Sequence, residues 1–353
     1  MFLLARRALC VILALSGVLC SSAPSDTNTE NRRGHRHGRS ANCHEKYQQS
    51  SDHSACLVKS SQALVSGVSA ADQVGILNLH NTFRNNVNPA ATNMLKLSWD
   101  NTVAMIAQRF ADSCRGGHDT MEQRSIPGYL RVGQNIALHS ASWAQAFAEW
   151  SSEEQNFTFG ANNDLGTIGH YSQLVWADTQ TVGCGYADCG NATYYVCNYG
   201  PPGNIGDFNT PYKSGISSEC SAQHLDGKQC DCGVVCLNGG QVFRENCTCK
   251  CQAYPFYTGN NCQLECSNVE TDPSECSGTF AGFPCTVVAV NCPNRCGVCP
   301  YGGIHYTGSP SGSTTDSPDG GASGSNNKQI RASGDVILAA CMVIVTRMGL
   351  FHL

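Results

Sequence analysis

The sequence predicts an α+β domain followed by two small disulfide-rich modules. Apolar residues at helical spacing in the first half indicate core-facing helices, and two runs rich in β-branched and aromatic residues around a turn indicate a hairpin. The second half carries closely spaced cysteines, out of 23 in a chain of 353 residues. Segments of this kind are too short to bury a large core, so disulfides are expected to hold them.

The amino terminus has the layout of a cleavable secretion signal at residues 1–23. Arg6 and Arg7 precede an apolar run from Ala8 to Leu19, and small residues up to Ala23 follow it. The run is too short to span a hydrocarbon core of about 30 Å. Three cysteines lie in the two end segments, and the remaining twenty form an even set. In an exported protein this set predicts disulfides rather than zinc ligation.

Residues 24–67 are predicted to form a disordered linker that contains Cys43 and Cys56. The stretch from Arg32 to Arg39 alternates Arg, Gly and His, and we interpret it as solvated. Polyanion binding, weak metal binding and a processing site at Arg39 are the alternatives. The formal net charge of −5 is mild for this length, so a nucleic-acid partner is not expected.

Two core-facing helices are predicted in the first half of the domain. The first has an apolar stripe at Ile76, Leu79, Phe83 and Val87. The second has a longer stripe at Val103, Ile106, Ala107, Phe110, Ala111 and Cys114. His80 and Arg84, one turn apart on the first helix, are expected to be structural, with His80 hydrogen-bonded in the core.

A β-hairpin is predicted near the end of the domain. The runs Val182 to Ala187 and Thr193 to Tyr199 flank a turn-forming stretch of Asp, Cys, Gly and Asn. Cysteines lie on or beside both runs, so disulfides are expected to hold the hairpin and to tie it to Cys114.

A third helix, around Ala141 to Glu154, ends on an informative carboxylate. Its apolar stripe includes Trp143 and Trp150, and Glu153 continues the stripe three residues later. A carboxylate on a buried face is costly without a partner. Glu153 is therefore either satisfied at the helix end by backbone or Arg groups, or it lines a cavity.

Five motifs in order along the chain carry a family resemblance. They are HNTFR at 80–84, LSWD at 97–100, GQNIA at 133–137, GHYSQLVWA at 169–177 and YYVCNYGPPGN at 194–204. These motifs resemble the signatures of the CAP superfamily, which includes cysteine-rich secretory proteins, antigen-five venom allergens and plant pathogenesis-related proteins. The resemblance implies an α-β-α sandwich with a central antiparallel sheet over residues 68–215.

The resemblance also implies a surface cavity lined by two histidines and two acidic residues. The matching positions here are His118, Glu153 and His170, with Gln134 where many relatives carry Glu. Zinc at His118, His170 and Glu153 is the cofactor that this set suggests, because a catalytic zinc normally has three protein ligands. The neutral Gln134 removes one candidate general base and weakens the expectation of metal binding.

A serine-type alternative uses Ser172, His170 and Glu153 as a triad. If this motif forms a strand, alternation places the Ser172 and His170 side chains on one face. The motif supplies no oxyanion hole, and a hydroxyl bonded to a nearby backbone group is the preferred interpretation. No catalytic residue is therefore assigned.

The first cysteine-rich module spans residues 220–262. Asn-Gly-Gly after Cys236 and the run from Tyr257 to Cys262 resemble an EGF-like module, although the spacing of Cys247, Cys249 and Cys251 departs from the common one. Its pairing is left open. The acidic residues of calcium-binding versions are not evident, so calcium is not expected.

The second module, residues 266–299, resembles a ShK-type toxin fold. The resemblance implies the pairs Cys266 with Cys299, Cys276 with Cys292, and Cys285 with Cys296. Channel-blocking members carry a Lys between the third and fourth cysteines, whereas Thr286 to Asn291 contains none. A role as a plug for a potassium pore is therefore not expected.

The sequence also predicts modifications typical of an exported protein. Sequons for glycosylation begin at Asn156, Asn191 and Asn246. Residues 300–335 form a linker rich in Gly and Ser, and residues 336–353 form a short apolar tail interrupted by Arg347. This pattern is typical of a glycolipid-anchor signal, which predicts association with the outer face of the plasma membrane.

The function predicted from these features is extracellular recognition without catalysis. The expected ligand is a protein or a lipid-like molecule such as a sterol or fatty acid, a ligand class that the resemblance implies. One alternative is a metal-dependent or serine-type hydrolase that uses the cavity. The other is an ion-channel modulator that acts through the ShK-type module.

Overall fold

The computed structural model describes residues 43–48, 50, 52–128, 131–254, 256–268, 271–283 and 285–299. These residues belong to one compact unit of the chain. The predicted signal (1–23), basic stretch (32–39), Gly/Ser-rich linker (300–335) and apolar tail (336–353) lie outside the described residues. No helix within the described ranges has the length and apolar character needed to cross a membrane.

Seven α-helices occur in the described part of the chain. They are α1 (Glu45–Gln48), α2 (Ala70–Asn85), α3 (Asn101–Asp112), α4 (Met121–Arg124), α5 (Trp143–Ser151), α6 (Leu165–Leu174) and α7 (Cys285–Val288). The long helices begin at side-chain caps, since Ser69, Asp100 and Asp164 each accept a hydrogen bond from the backbone of the first turn. The helices predicted around Ile76 and Val103 are confirmed as α2 and α3.

Eleven short and long strands accompany these helices in the described ranges. They are β1 (Val65–Ser66), β2 (Ser98–Trp99), β3 (Gly133–Leu138), β4 (Thr181–Asp188), β5 (Thr193–Gly200), β6 (Leu225–Asp226), β7 (Gln229–Cys230), β8 (Gln241–Phe243), β9 (Thr248–Lys250), β10 (Tyr257–Thr258) and β11 (Gln263–Leu264). The central sheet has the order β1-β4-β5-β3 with antiparallel pairing, and β2 pairs with β4 in parallel. The predicted hairpin is confirmed as β4 and β5.

The central sheet separates two apolar cores, which makes the domain a three-layer sandwich. Tyr195, Cys197 and Tyr199 of β5 belong to one core, together with residues of α2, α5 and α6. The alternating residues Tyr194 and Val196 belong to another core, together with residues of α3. Because strand side chains alternate between faces, the helices must lie on opposite sides of the sheet. The predicted α-β-α architecture is confirmed.

The prediction of a disordered linker over residues 24–67 is wrong for its described part, from Cys43 onward. A disulfide joins Cys43 to Cys56, and the Tyr47 side chain is buried against α3. Further along, Val65 of β1 pairs with Asp188 at the edge of the central sheet. The polar composition concealed this packing, which depends on one disulfide and one aromatic anchor.

All twenty cysteines in the described region are paired. The sandwich contains Cys43–Cys56, Cys114–Cys189 and Cys184–Cys197. The first module region contains Cys220–Cys230, Cys232–Cys247, Cys236–Cys249 and Cys251–Cys262. The second module contains Cys266–Cys299, Cys276–Cys292 and Cys285–Cys296, the arrangement that the resemblance implies.

The first module is held directly against the sandwich. Arg244 pairs with Asp178, and its Nε donates a 2.6 Å hydrogen bond to the backbone oxygen of Asn93. The backbone N–H of Cys236 donates a 2.8 Å bond to Oε1 of the buried Gln180. These contacts fix the orientation of the module, because each joins a group of the module to a group of the sandwich.

The second module packs against the first. The Tyr257 hydroxyl donates a 2.6 Å hydrogen bond to the backbone oxygen of Val290, and Asn291 Nδ2 donates a 2.8 Å bond to the Tyr254 hydroxyl. A shared apolar cluster includes Phe256, Tyr257, Leu264 and Val298. The sandwich and both modules are thus connected in series.

Candidate functional site

The structure brings His170 and Glu153 together at the surface of the sandwich. After α5, a 3-10 turn at Ser152–Asn156 places the Glu153 carboxylate beside α6, which carries His170. Glu153 Oε1 accepts a 2.7 Å hydrogen bond from His170 Nδ1. Glu153 Oε2 accepts bonds from the backbone N–H groups of His170 (2.7 Å) and Tyr171 (3.0 Å). Both carboxylate oxygens are therefore engaged.

These contacts decide the charge state of Glu153. Burial alone would raise the pKa of its carboxyl, but the hydrogen bonds and charge of His170, with the N–H of Tyr171, outweigh burial and lower the pKa below its usual value. Glu153 is thus ionised at neutral pH. The carboxylate is satisfied by backbone groups and by His170, which supports the first of the two interpretations that the helical stripe left open.

His118 and Gln134 form a second pair beside the first. His118 lies in the loop between α3 and α4, and its Nδ1 is 2.8 Å from Oε1 of Gln134 on β3. An amide oxygen only accepts, so Nδ1 of His118 carries the proton. Gln134 Nε2 in turn donates a 3.2 Å bond to Oδ1 of Asn198, which faces it across the β3–β5 pair.

The two imidazole rings lie close to each other at the candidate site. Their centroids are 6.5 Å apart and their planes are tilted by 38°. Each ring donates through Nδ1, so in its neutral form each keeps a lone pair on Nε2. The site therefore contains two Nε2 atoms that can each offer a lone pair to a metal. Each ring is oriented by the hydrogen bond that its Nδ1 donates.

The donor set does not fit a catalytic zinc site with three protein ligands. Within the described ranges, no group of three or more His, Cys, Asp or Glu side chains has the geometry to hold a metal ion. Glu153, predicted as the third ligand beside His118 and His170, instead lies behind His170 as its hydrogen-bond partner. In this arrangement Glu153 orients His170 instead of completing a three-ligand metal site among the described residues.

Asn198 is a site residue that the sequence analysis missed. Its side chain is fully buried, and its Nδ2 has no hydrogen-bond partner among the described residues. An unpaired buried donor costs about 1–3 kcal/mol. The sequence offers a way to find this residue, because Asn198 lies in the YYVCNYGPPGN motif. Pairing of β3 with β5 then places it opposite Gln134.

The structure does not favour the alternative of a triad with Ser172. The GHYSQL part of the motif forms α6 rather than a strand, so residues 170 and 172 do not share a face. Ser172 is fully buried, and its Oγ lies 2.9 Å from the Ile168 backbone oxygen and 2.6 Å from Asn204 Oδ1. The hydroxyl therefore bonds away from His170.

His80 and Arg84 lie in the core, away from the cavity. His80 Nδ1 donates a 2.7 Å bond to the Ile76 backbone oxygen, and its Nε2 accepts a 2.9 Å bond from the Tyr199 hydroxyl. Burial lowers the pKa of His80 to about 4, so the ring is neutral at pH 7. Both residues are structural, because each is buried and bonded to the surrounding core.

The three sequon asparagines lie on the surface. Asn156 is in the 3-10 turn after α5, Asn191 is in the turn between β4 and β5, and Asn246 is in the loop between β8 and β9. Each asparagine is exposed. All three are therefore accessible to a glycosyltransferase, and their modification stays a prediction.

Comparisons with known proteins match the sandwich and the modules. The family model described as CAP, the cysteine-rich secretory protein family, matches residues 77–199. Cysteine-rich venom protein Mr30 of Conus marmoreus is 31% identical over 273 residues, which cover 73% of this chain and 91% of that protein. Cysteine-rich secretory protein 2 of Cavia porcellus is 36% identical over 202 residues, covering 50% of this chain and 82% of that protein.

Among solved structures, a crystal structure of NaASP2 with zinc is 28% identical. It covers 46% of this chain and 97% of that chain, with a TM-score of 0.40. The family assignment depends instead on the matched family model and on the identity to Mr30, which extends over almost all of that relative. The chain therefore belongs to the cysteine-rich secretory protein family and carries the family's CAP domain at its centre.

Proposed function

We propose that this protein is an extracellular recognition protein that binds a protein or a lipid-like ligand, such as a sterol or fatty acid, without catalysing a reaction. The observation that carries the proposal is the closed set of hydrogen bonds around Glu153. Its two oxygens accept from His170 Nδ1 and from two backbone N–H groups. A general base needs a lone pair directed at a substrate proton, whereas both oxygens of Glu153 are engaged by groups of the protein itself.

The remaining groups of the cavity support the same proposal. Gln134 is neutral and cannot act as a base, and the Ser172 hydroxyl bonds to Ile168 and Asn204 instead of to a histidine. Acyl-transfer chemistry needs a nucleophile within hydrogen-bond reach of its base. The described cavity residues do not offer that pair.

The relatives support an extracellular location. The similar proteins of Conus marmoreus and Cavia porcellus are named as venom and secretory proteins, and the disulfides of this chain are typical of an oxidising compartment. A glycolipid anchor, attached as the apolar tail at residues 336–353 is removed, is part of the proposal and would keep the protein at the outer cell surface.

Weak zinc binding is a second candidate activity of the cavity. The two Nε2 atoms of His118 and His170 offer two of the four ligands that zinc usually takes, and water would supply the others. The zinc of the NaASP2 crystal structure is a property of that protein. For this chain, two imidazoles favour loose and exchangeable binding rather than a resident cofactor.

The proposed function is tested by comparing the secreted wild-type protein with His170→Ala. Hydrolysis of fluorogenic ester and peptide substrates is measured with and without added zinc, and binding of a fluorescent sterol and a fluorescent fatty acid is measured by titration. We expect no hydrolysis that depends on His170, and equal ligand binding by both proteins. A hydrolytic rate that His170→Ala abolishes would contradict the proposal and favour the hydrolase.

A further inference from the structure

A second concave site lies where the sandwich meets both cysteine-rich modules. The cleft has a volume of about 750 Å³, within the range of about 300–1,000 Å³ that is usual for small-molecule sites. None of the four cavity residues His118, Gln134, Glu153 and His170 lines it. The cleft is therefore separate from the histidine site.

The cleft is lined by apolar side chains from three parts of the chain, with polar side chains between them. The sandwich contributes Trp176, Pro202 and Ile205, the first module contributes Val242, and the second module contributes Val298. The Ile205 side chain is 44% exposed in this opening. The concave shape, the aromatic ring and the apolar part of the lining favour a ligand that buries apolar surface.

The charged groups at the cleft largely compensate one another. Arg244 is paired with Asp178, and Lys213 is paired with Glu219 at 2.7 Å. The lining also contains Glu122 and Arg131, whose charges are of opposite sign. These pairs leave little local net charge to attract an ion from solution. A neutral ligand therefore matches the cleft better than a strongly charged one.

The walls of the cleft are preformed. Arg244 joins the first module to Asn93 and Asp178 of the sandwich, and Asn238 Nδ2 donates a 3.3 Å bond to the Gly128 backbone oxygen. The contact between Tyr257 and Val290 then holds the second module in place. A site that is already formed avoids much of the entropic cost of ordering its walls upon binding.

We propose that this cleft binds a neutral, largely apolar small molecule. The inference rests on the proposed recognition function and assigns its ligand to a composite site that requires the sandwich and both modules. The histidine cavity is then dispensable for this ligand. The alternative ligand for the same cleft is an extended peptide. Titration with an apolar dye distinguishes a small apolar ligand from a peptide.

The probe is N-phenyl-1-naphthylamine, a neutral apolar dye whose fluorescence rises in apolar surroundings. The dye is titrated into the full secreted protein and into Ile205→Arg, which places a charge in the opening from an exposed position. The matched control is Ile216→Arg, because Ile216 is fully exposed and lies outside the cleft. His170→Ala is the control for the histidine cavity.

We expect saturable binding of one dye per chain to the wild type, Ile216→Arg and His170→Ala. Ile205→Arg is expected to bind about tenfold more weakly or worse, because the ligand would desolvate the guanidinium. Equal binding by Ile205→Arg and Ile216→Arg would overturn the proposal. Absence of saturable dye binding to the wild type would also overturn it and would favour a peptide, while the sterol and fatty-acid titrations would still judge the recognition function separately.

Discussion

Arg84 illustrates how a buried charge can be held without a carboxylate. Its guanidinium is fully buried and donates to backbone oxygens of Leu95 (2.6 Å), Leu174 (2.8 Å) and Trp176 (2.9 Å). Leu174 is the last residue of α6, Trp176 follows it closely, and Leu95 lies just before β2. Arg84 therefore holds the end of α6 against the loop that leads into β2.

Replacing Arg84 by Met is expected to destabilise the domain by about 3 kcal/mol or more, because several buried carbonyl groups would lose their donor. The measurement is the free energy of unfolding from denaturant titration. Arg109→Met is the control, since Arg109 is exposed on α3, and it is expected to change stability by less than about 0.5 kcal/mol. Equal effects of the two substitutions would contradict this role of Arg84.

His80 makes stability depend on pH. Burial lowers its pKa in the folded state to about 4, whereas the unfolded chain has the ordinary value near 6.5. Between these pH values the unfolded state binds more protons than the folded state, so the free energy of unfolding falls as the pH is lowered. The contribution of neutral His80 to this free energy is complete above about pH 6.5 and is lost as the pH falls toward 4. The full contribution is about 3 kcal/mol.

The prediction for His80 is tested with His80→Gln, whose side chain can still hydrogen-bond but does not titrate. The free energy of unfolding of the wild type is expected to fall more steeply than that of His80→Gln between pH 6.5 and 4. The two proteins are compared at several pH values in the same denaturant series. Parallel pH profiles would show that His80 does not contribute the predicted dependence.

At the residue scale, the sequence indicated the residues of the candidate site but not all their contacts. The family resemblance carries His118, Gln134 and His170 over one by one, and the structure places His118 beside Gln134 and near His170. The role of Glu153 as an acceptor for two backbone N–H groups required the turn after α5, which no side-chain pattern encodes. The unpaired amide of Asn198 likewise depends on strand register.

At the scale of elements, close packing of α3 on the sheet depends on two glycines of β4. A Cβ atom at Gly185 would lie 2.3 Å from Gln108 Cα, and one at Gly183 would lie 2.2 Å from Ala104 N. These are backbone atoms, so the contact cannot be relieved by moving a side chain. The helix can approach the sheet this closely only because both strand positions lack a side chain.

Gly185→Ala is therefore expected to destabilise the domain by about 2–3 kcal/mol through overpacking. The control is Gly75→Ala on α2, where an added Cβ meets no atom within 4 Å. That substitution is expected to stabilise the helix by about 0.5–1 kcal/mol. Thermal unfolding of both variants tests the contrast, and a neutral Gly185→Ala would mean that α3 can move away from β4 at little cost.

The periodicity of the sequence predicted some elements better than others. The apolar stripes of α2 and α3 are long enough to distinguish the 3.6-residue period of a helix from the two-residue period of a strand. The GHYSQLVWA motif is short and mixes aromatic and β-branched residues, so its pattern does not distinguish the helix α6 from a strand. The polar composition of residues 43–67 predicts a linker, whereas their packing depends on Cys43–Cys56 and Tyr47 and not on a periodic face.

At the scale of the whole molecule, Arg244 connects the first module to the sandwich. Arg244 pairs with Asp178 and bonds to Asn93. The hydrogen bond from Cys236 N to Gln180 is a third contact between the module and the sandwich. The modules therefore extend the surface of the sandwich as a rigid part of it. The sequence could indicate two modules from their cysteine spacing, but not this contact, because the partners lie far apart along the chain.

Arg244→Ala is expected to loosen the first module without unfolding the sandwich. The rate of proteolytic cleavage between residues 243 and 248 should rise several-fold, because the hairpin of β8 and β9 would lose the bonds of Arg244 to Asn93 and Asp178. Lys250→Ala is the control, since Lys250 is exposed on β9 of the same module. Cleavage rates that match those of the control would contradict a rigid connection through Arg244.

The central claim is that the histidine cavity lacks the ligands of a catalytic metal site. Calorimetric titration of zinc into the secreted wild type, His170→Ala and Gln134→Glu tests it most directly. A carboxylate at position 134 would accept a hydrogen bond from His118 Nδ1, as Glu153 does from His170 Nδ1, and such partners change metal affinity by about 10–100-fold. We expect weak zinc binding to the wild type, loss of that binding in His170→Ala, and stronger binding to Gln134→Glu by that factor. Tight zinc binding to the wild type that Gln134→Glu does not increase would contradict the claim and restore the hydrolase as the better explanation.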